Sequence, residues 1–269
     1  DVYKRQALGN EFILIDAISQ KIDSEEELKL LQTCAKEFSF DQLLFLEPPT
    51  QKHAHLKLKI YNVDGSLAEN CVNGIRALAL YAFDESLVFS NTFILQIEDN
   101  LAQITRLQEN EFAVKMSSFK FTKSSCAIAD SQELQFNFEG TDIKFYPVSV
   151  GNPHAVIFQD SLSDQIPEMG LTLQESNIYK NGVNVGFVKI LNEKEINLRV
   201  VERGVGETLA CGSGACAAVL SGVKNNLLQS PVLVNFKKGK LEVEVNLDEE
   251  WFNLIGEAKY IEKGIKINP

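Results

Sequence analysis

No apolar run in this sequence reaches the ~18 residues of a membrane-spanning helix. The first twelve residues, DVYKRQALGNEF, lack the apolar segment of a secretory leader, so no membrane partner is expected and a cytoplasmic location is. Basic residues are in deficit: 26 Lys and Arg against 37 Asp and Glu leave a net charge of −11. A non-specific nucleic-acid binder needs a basic face, so nucleic acid is not an expected partner. Histidine is scarce, and His53, His55 and His154 fall at no metal-ligand spacing. The five cysteines, Cys34, Cys71, Cys126, Cys211 and Cys216, contain no Cys-x-x-Cys, which disfavours a thiol redox protein. An odd number of cysteines with no export signal reads as reduced thiols, and no metal is expected. With 45% hydrophobic and 23% charged residues, the chain has neither disordered, collagen-like nor coiled-coil composition.

What is present reads mostly as strand. In residues 55–61 Leu56, Leu58 and Ile60 alternate with Lys57 and Lys59, the pattern of a half-buried strand. Residues 195–201 and 240–246 repeat it, and the apolar segments 11–16 and 92–98 add further strands. Ser24 to Glu27 has the form of a helix capping box, followed by an apolar stripe of Leu28, Leu31, Ala35 and Phe38. Two further helices, GIRALALYAF (74–83) and GACAAVLSGV (214–223), are apolar nearly all round. Such a helix is buried on every side, which in a strand-rich chain places it inside a curved sheet.

These two helices expose a repeat. CVNGIRALAL from Cys71 aligns without gaps on CGSGACAAVL from Cys211, 140 residues on, sharing Cys, Gly, Ala and Leu at the first, fourth, seventh and tenth positions. The expectation is a duplicated lobe, divided near the polar stretch 117–131 into residues 1–117 and 118–269.

Each repeat sets a cysteine at the start of a buried helix. Helix N-termini carry unpaired N–H groups and about half a positive charge, so they stabilise a thiolate and dock a carboxylate. Two such thiols facing one another suit inversion of a stereocentre, where a proton leaves one face of a carbon and returns to the other. The alternative is a pair of inert buried cysteines. Cys34, Cys126 and Cys216 lack this context and are expected to pack.

At these residues, and across nearly the whole chain, the sequence resembles the diaminopimelate epimerase family of cofactor-independent amino-acid racemases. The segments ALGNEF (7–12), FDQLL (40–44), YNVDGS (61–66), ENCVNGIR (69–76), SVGNPH (149–154), VNVGF (183–187) and ERGVGETLACGSGAC (202–216) stand in the family's order. The resemblance implies an α+β fold of two similar lobes related by a pseudo-two-fold, each a mainly antiparallel barrel-like sheet around a central helix, with the substrate between them. It implies no pyridoxal phosphate, no metal and a homodimer. The implied reaction interconverts LL- and meso-diaminopimelate, in lysine and peptidoglycan synthesis.

By motif position, the resemblance makes Cys71 and Cys211 the two catalytic thiols, with His154 and Glu202 assisting them. Asn10, Gln42, Asn62, Asn152, Asn184, Glu202 and Arg203 fall at substrate-binding positions. Val72, Asn73, Gly212 and Ser213 fall in the turns whose backbone N–H groups hold the reacting carboxylate. Arg203 suits the distal carboxylate by its bidentate geometry. Val72 stands where the family has Gly: a site requiring positive φ strains Val there, and one requiring only an N–H accepts it. Two other functions stay open, a racemase of another amino acid and a ligand-binding protein without turnover. Asn62, Asn184 and Arg203, suited to a second charged end, argue against the first. The retained cysteine pair argues against the second.

Overall fold

The fold is described from a computed structural model, which covers residues 2–20, 22, 24–68 and 71–265, without the side chains of 24, 25, 28 and 262–265. The elements run β1 (Val2–Ala7), β2 (Asn10–Asp16), α1 (Ser24–Glu37), β3 (Gln42–Glu47), β4 (Leu56–Asn62), α2 (Val72–Asp84), β5 (Thr92–Ile97), β6 (Asn100–Gln108) and β7 (Glu111–Met116). After β8 (Gln135–Phe138) and β9 (Thr141–Lys144) come β10 (Tyr146–Ser149), β11 (Pro153–Phe158), α3 (Ile166–Glu175), β12 (Asn184–Asn192), β13 (Glu195–Glu202), β14 (Gly206–Thr208) and α4 (Gly212–Lys224). The chain continues through β15 (Val232–Phe236), β16 (Gly239–Asn246), β17 (Trp251–Glu257) and β18 (Lys259–Ile265). It forms two compact units, one up to Met116 together with the residues from Ile255 on, the other Ser117–Leu254.

In the first unit the strands lie in the order β7-β6-β5-β4-β3-β2-β1-β18. Only β2 with β3 and β4 with β5 run parallel; the other recorded pairings are antiparallel. Strand alternation gives each strand two faces. Ile13, Ile15, Leu43 and Phe45 turn outward under Leu31 and Cys34 of α1. On the other face lies α2, buried throughout from Val72 to Ala82. It touches β1 and β18 at one end of the sheet and β7 at the other, so the sheet curves around it. The apolar circumference of its sequence has this cause: every side of the helix meets sheet.

The second unit repeats the plan. Its strands lie in the order β10-β11-β12-β13-β15-β16-β17. Again two pairs are parallel, β11 with β12 and β13 with β15. Helix α3 packs outside through Ile166, Met169 and Leu173. Helix α4 is buried from Gly212 to Gly222 and contacts β10, β11, β12, β13 and β16. Element for element, β1-β2-α1-β3-β4-α2-β5-β6-β7 matches β10-β11-α3-β12-β13-α4-β15-β16-β17.

The structure differs from the sequence reading in two respects. The division into 1–117 and 118–269 places the chain's last strand in the wrong unit: β18 pairs with β1, Arg5 opposite Tyr260, and so belongs to the first unit. The buried helices begin two residues earlier than read, at Val72 and Gly212, because the cysteines themselves cap them. The Ser24 cap, the Leu28 position of the α1 stripe, and Glu69 and Asn70 of the first cysteine motif lie outside the described residues.

Candidate active site

Both cysteines occupy the N-cap position. Cys71 is extended at φ −149° and Cys211 at φ −135°, and each Sγ accepts the backbone N–H three residues on, Gly74 or Gly214, at 3.4 Å. Ser, Thr, Asp or Asn usually fills this role; here a thiol does so twice. Glycine at the third helical position lets the helix start lie on the sheet. A Cβ on Gly74 would stand 2.9 Å from Leu44 Cδ2, and one on Gly214 3.0 Å from Val200 Cγ2. The next N–H groups, of Ile75 and Ala215, return to the carbonyls of Cys71 and Cys211. The first two N–H groups of each helix, on Val72 and Asn73 and on Gly212 and Ser213, have no acceptor within the helix. Val72 has helical backbone and is absent from the positive-φ residues, so its side chain is accommodated without strain. Ser213 Oγ lies 3.4 Å from Cys211 Sγ.

Around each capped helix the strand ends bring polar side chains together. In the first unit Phe12, Gln42 and Asn62 stand in register on neighbouring strands, and Gln42 Nε2 donates to Asn62 Oδ1 at 3.0 Å. Asn62 Nδ2 donates to Ser66 Oγ at 3.0 Å. Asn73 Nδ2 donates to Asn10 Oδ1 at 2.7 Å, tying the helix start to β2. In the second unit His154 pairs in register with Asn184, and Val185 with Val201, so that Asn184 and Glu202 end their strands side by side. Asn184 Oδ1 accepts the backbone N–H of Arg203 at 2.9 Å, and Arg203 Nη1 donates to the Asn181 carbonyl at 2.7 Å. Glu202 Oε1 accepts from Thr208 Oγ1 at 2.5 Å.

His154 is buried, its Nε2 lying 3.2 Å from Asn152 Oδ1 and its Nδ1 without a partner among the described residues. Burial pushes its imidazole down to about 3, and the positive charge of Arg203 adds to the shift. The ring is therefore neutral at neutral pH.

Each unit thus gathers the residues that the sequence singled out within it, and the duplication extends to them. Asn10 and Asn152 lie 142 residues apart, as do Gln42 and Asn184; Asn62 and Glu202 lie 140 apart, as do Cys71 and Cys211. His154 takes the place of Phe12. Asp41, Arg76 and Thr208, which hold Asn10, Asn73 and Glu202, stand inside the motifs FDQLL, ENCVNGIR and ERGVGETLACGSGAC but carry no site role in the sequence analysis. Arg76 left a signal there, as the lone charge between Val72 and Phe83 of an apolar helix. Among the described residues no group of three or more His, Cys, Asp or Glu is placed to hold a metal ion, and no helix is long and apolar enough to cross a membrane.

The fold is shared with a hydroxyproline epimerase from Agrobacterium vitis, at a TM-score of 0.72 and 11% identity over 97% of this chain and 88% of that one. A PhzF-family phenazine biosynthesis protein of Bacillus anthracis shares it at a TM-score of 0.67 and 15% identity, over 97% and 96%. The sequence relatives that follow place the chain among the isomerases, in the class of amino-acid epimerases and racemases. A family model described as diaminopimelate epimerase matches residues 2–122 and 146–261. The diaminopimelate epimerase of Teredinibacter turnerae is 34% identical over 97% of this chain and 96% of its own length. That of Acinetobacter baumannii is 36% identical over 90% and 88%. The chain belongs to the diaminopimelate epimerase family.

Proposed function

We propose that the protein interconverts LL- and meso-2,6-diaminopimelate by a two-base mechanism without pyridoxal phosphate, supplying lysine and peptidoglycan synthesis. The observation that carries this reading is the repeated cap: Cys71 and Cys211 hold the same position on equivalent buried helices, each with its Sγ 3.4 Å from the backbone nitrogen three residues on, Gly74 or Gly214. In the proposed step one cysteine, as thiolate, takes the α-proton, so that a C–H bond breaks and an S–H bond forms. The electron pair left on carbon is delocalised into the α-carboxylate. Val72, Asn73, Gly212 and Ser213 offer that group backbone N–H donors at the positive ends of two helices. The other cysteine, as thiol, returns a proton to the opposite face, and the two exchange protonation states with direction.

The distal amino-acid end of the substrate takes the remaining polar groups. Arg203 pairs with its carboxylate. Asn62, Asn184 and Glu202 have oxygens for its ammonium, while Asn10, Gln42 and Asn152 complete the binding set. His154 and Glu202 support the thiols, His154 as a neutral group. The same reading takes the enzyme to be a cytoplasmic homodimer. The test is incubation of the purified protein with LL-diaminopimelate in deuterated water, followed by stereochemical and isotopic analysis. The meso isomer carrying one α-deuterium is expected; recovery of unlabelled LL substrate refutes the reading.

A further inference from the structure

Helix α2 contains a charge that its packing does not require. Arg76 is fully buried, on a helix otherwise apolar from Ile75 to Phe83. Burying a guanidinium is costly unless it is well hydrogen-bonded. The duplication supplies an internal control: the equivalent position of α4, 140 residues on, is Cys216, and α4 is buried as completely without a cation there. The plan of the unit therefore does not call for Arg76.

Its contacts give another reason. Arg76 Nη2 donates to Asn73 Oδ1 at 2.9 Å, and Nε to the Glu257 carbonyl at 3.5 Å. Asn73 Nδ2 donates in turn to Asn10 Oδ1 at 2.7 Å. Asn10 Nδ2 then faces Asp41 Oδ2 at 3.4 Å. An amide in isolation accepts either orientation, but this chain is pinned at both ends. Arginine has donors only, so the Asn73 atom facing it must be oxygen. Asn73 then presents a donor to Asn10, which must answer with oxygen and turn its own NH2 outward. At the far end Asp41 Oδ2, which also accepts the Glu11 backbone N–H at 2.8 Å, requires the same direction.

We infer that Arg76, acting through Asn73, is a positioning residue that fixes the Asn10 amide with Nδ2 outward, so that Asn10 meets a carboxylate of the substrate and not an ammonium. This rests on the function proposed above. Asn10 is half-buried, and Asp41 takes one of its two N–H directions, which leaves the other for the ligand. In the second unit the equivalent Asn152 is faced instead by His154 Nε2 at 3.2 Å. The Arg76 relay is thus a device of the first unit alone.

Two variants disturb the relay without removing Asn10. Asn73→Asp still accepts from Arg76 but cannot donate to Asn10, which must turn its Nδ2 inward and its oxygen outward. Arg76→Gln is neutral and lets Asn73 take either orientation. Each is made in the wild type and in an Asn10→Ala background, and KM, kcat and melting temperature are measured with diaminopimelate. Asn73→Asp is expected to raise KM about tenfold or more, the loss of one charge-assisted contact. Its melting temperature should change by only a few degrees, because an acid in the first turn suits the helix and pairs with Arg76, which offsets the lost contact between Asn10 and Asp41. Arg76→Gln should raise KM in the same direction by a smaller factor. In the Asn10→Ala background the further effect of Arg76→Gln should fall below about threefold, since it acts through Asn10. A KM within about twofold of wild type for Asn73→Asp overturns the proposal, as does an undiminished effect of Arg76→Gln when Asn10 is absent. If Asn73→Asp does not fold, the Arg76→Gln cycle decides by the same criterion. A wild-type protein that does not turn over diaminopimelate refutes the proposed function instead, before any variant is read.

Discussion

His154→Gln removes a titration that links the stability of the second unit to pH. In the folded chain the imidazole is held neutral down to about 3, first by burial and then by the charge of Arg203. In the unfolded chain it titrates near 6.5. A folded pKa below the unfolded one means that stability is fully present above about pH 6.5 and is lost as pH falls, because only the unfolded chain takes up the proton. Between pH 7.5 and 5.0 this one group removes about 2 kcal/mol. Carboxylates contribute little over that window, since Glu47 and Glu207 are held below their ordinary value and their unfolded forms titrate near 4.5. Glutamine has a terminal NH2 to offer Asn152 Oδ1 but does not titrate. The sequence carries one tryptophan, Trp251, which lies in the same unit as His154, so its fluorescence in urea follows the unfolding that matters. The variant is expected to lose about 2 kcal/mol less than wild type between the two pH values, whatever its stability at pH 7.5. Equal losses in the two proteins would refute the buried neutral histidine.

Replacing either Cys71 or Cys211 by Ala should lower kcat by roughly 10²–10⁴-fold, because each supplies one face of the proton transfer, and should lower stability only by the lost helix cap, about 1 kcal/mol; near-normal turnover in either variant excludes two bases. Arg203→Ala should reduce kcat/KM for diaminopimelate at least tenfold, about 1.4 kcal/mol, and Arg203→Lys by less, the fork geometry being lost but not the charge. Steady-state kinetics with a melting curve checks both; unchanged kinetics with a large fall in melting temperature assigns Arg203 a structural role. Gly182 has φ +75°, and a Cβ there would stand 2.5 Å from Arg203 Cδ. Gly182→Ala should therefore raise KM by displacing the Arg203 stem, and a KM equal to wild type would show that the stem is not held by this contact.

Legibility in the sequence followed the range of the interaction. Alternation at Leu56, Leu58 and Ile60 is local, and β4 lies within a residue of where it was read. The circumference of α2 and α4 is local too, and it announced two helices wrapped by sheet. Their starts were misplaced because cysteine is not a usual capping residue, although Cys71 and Cys211 do what a capping serine does. The pairing of β18 with β1 joins residues some 250 positions apart, and no pattern in either strand specifies the partner. The repeat was visible in the helices, where spacing and identity agree, but not in Asn62 and Glu202, which hold equivalent places with different chemistry. The relay from Arg76 to Asn10 depends on three side chains meeting from a helix and a strand, and only the isolated charge hinted at it.

The return of β18 to the first unit sets an order of events during synthesis. Residues 117–257 leave the ribosome as a continuous stretch containing every strand from β10 to β17, so the second unit can complete itself as soon as it emerges. The first unit, though begun earlier, holds β1 with one edge unpaired until the chain has grown past residue 259. An open strand edge is a template for pairing with another chain. A ribosome stalled or a message truncated near residue 258 therefore yields a finished second unit attached to a first unit with an exposed edge, a product prone to aggregate and open to proteolysis.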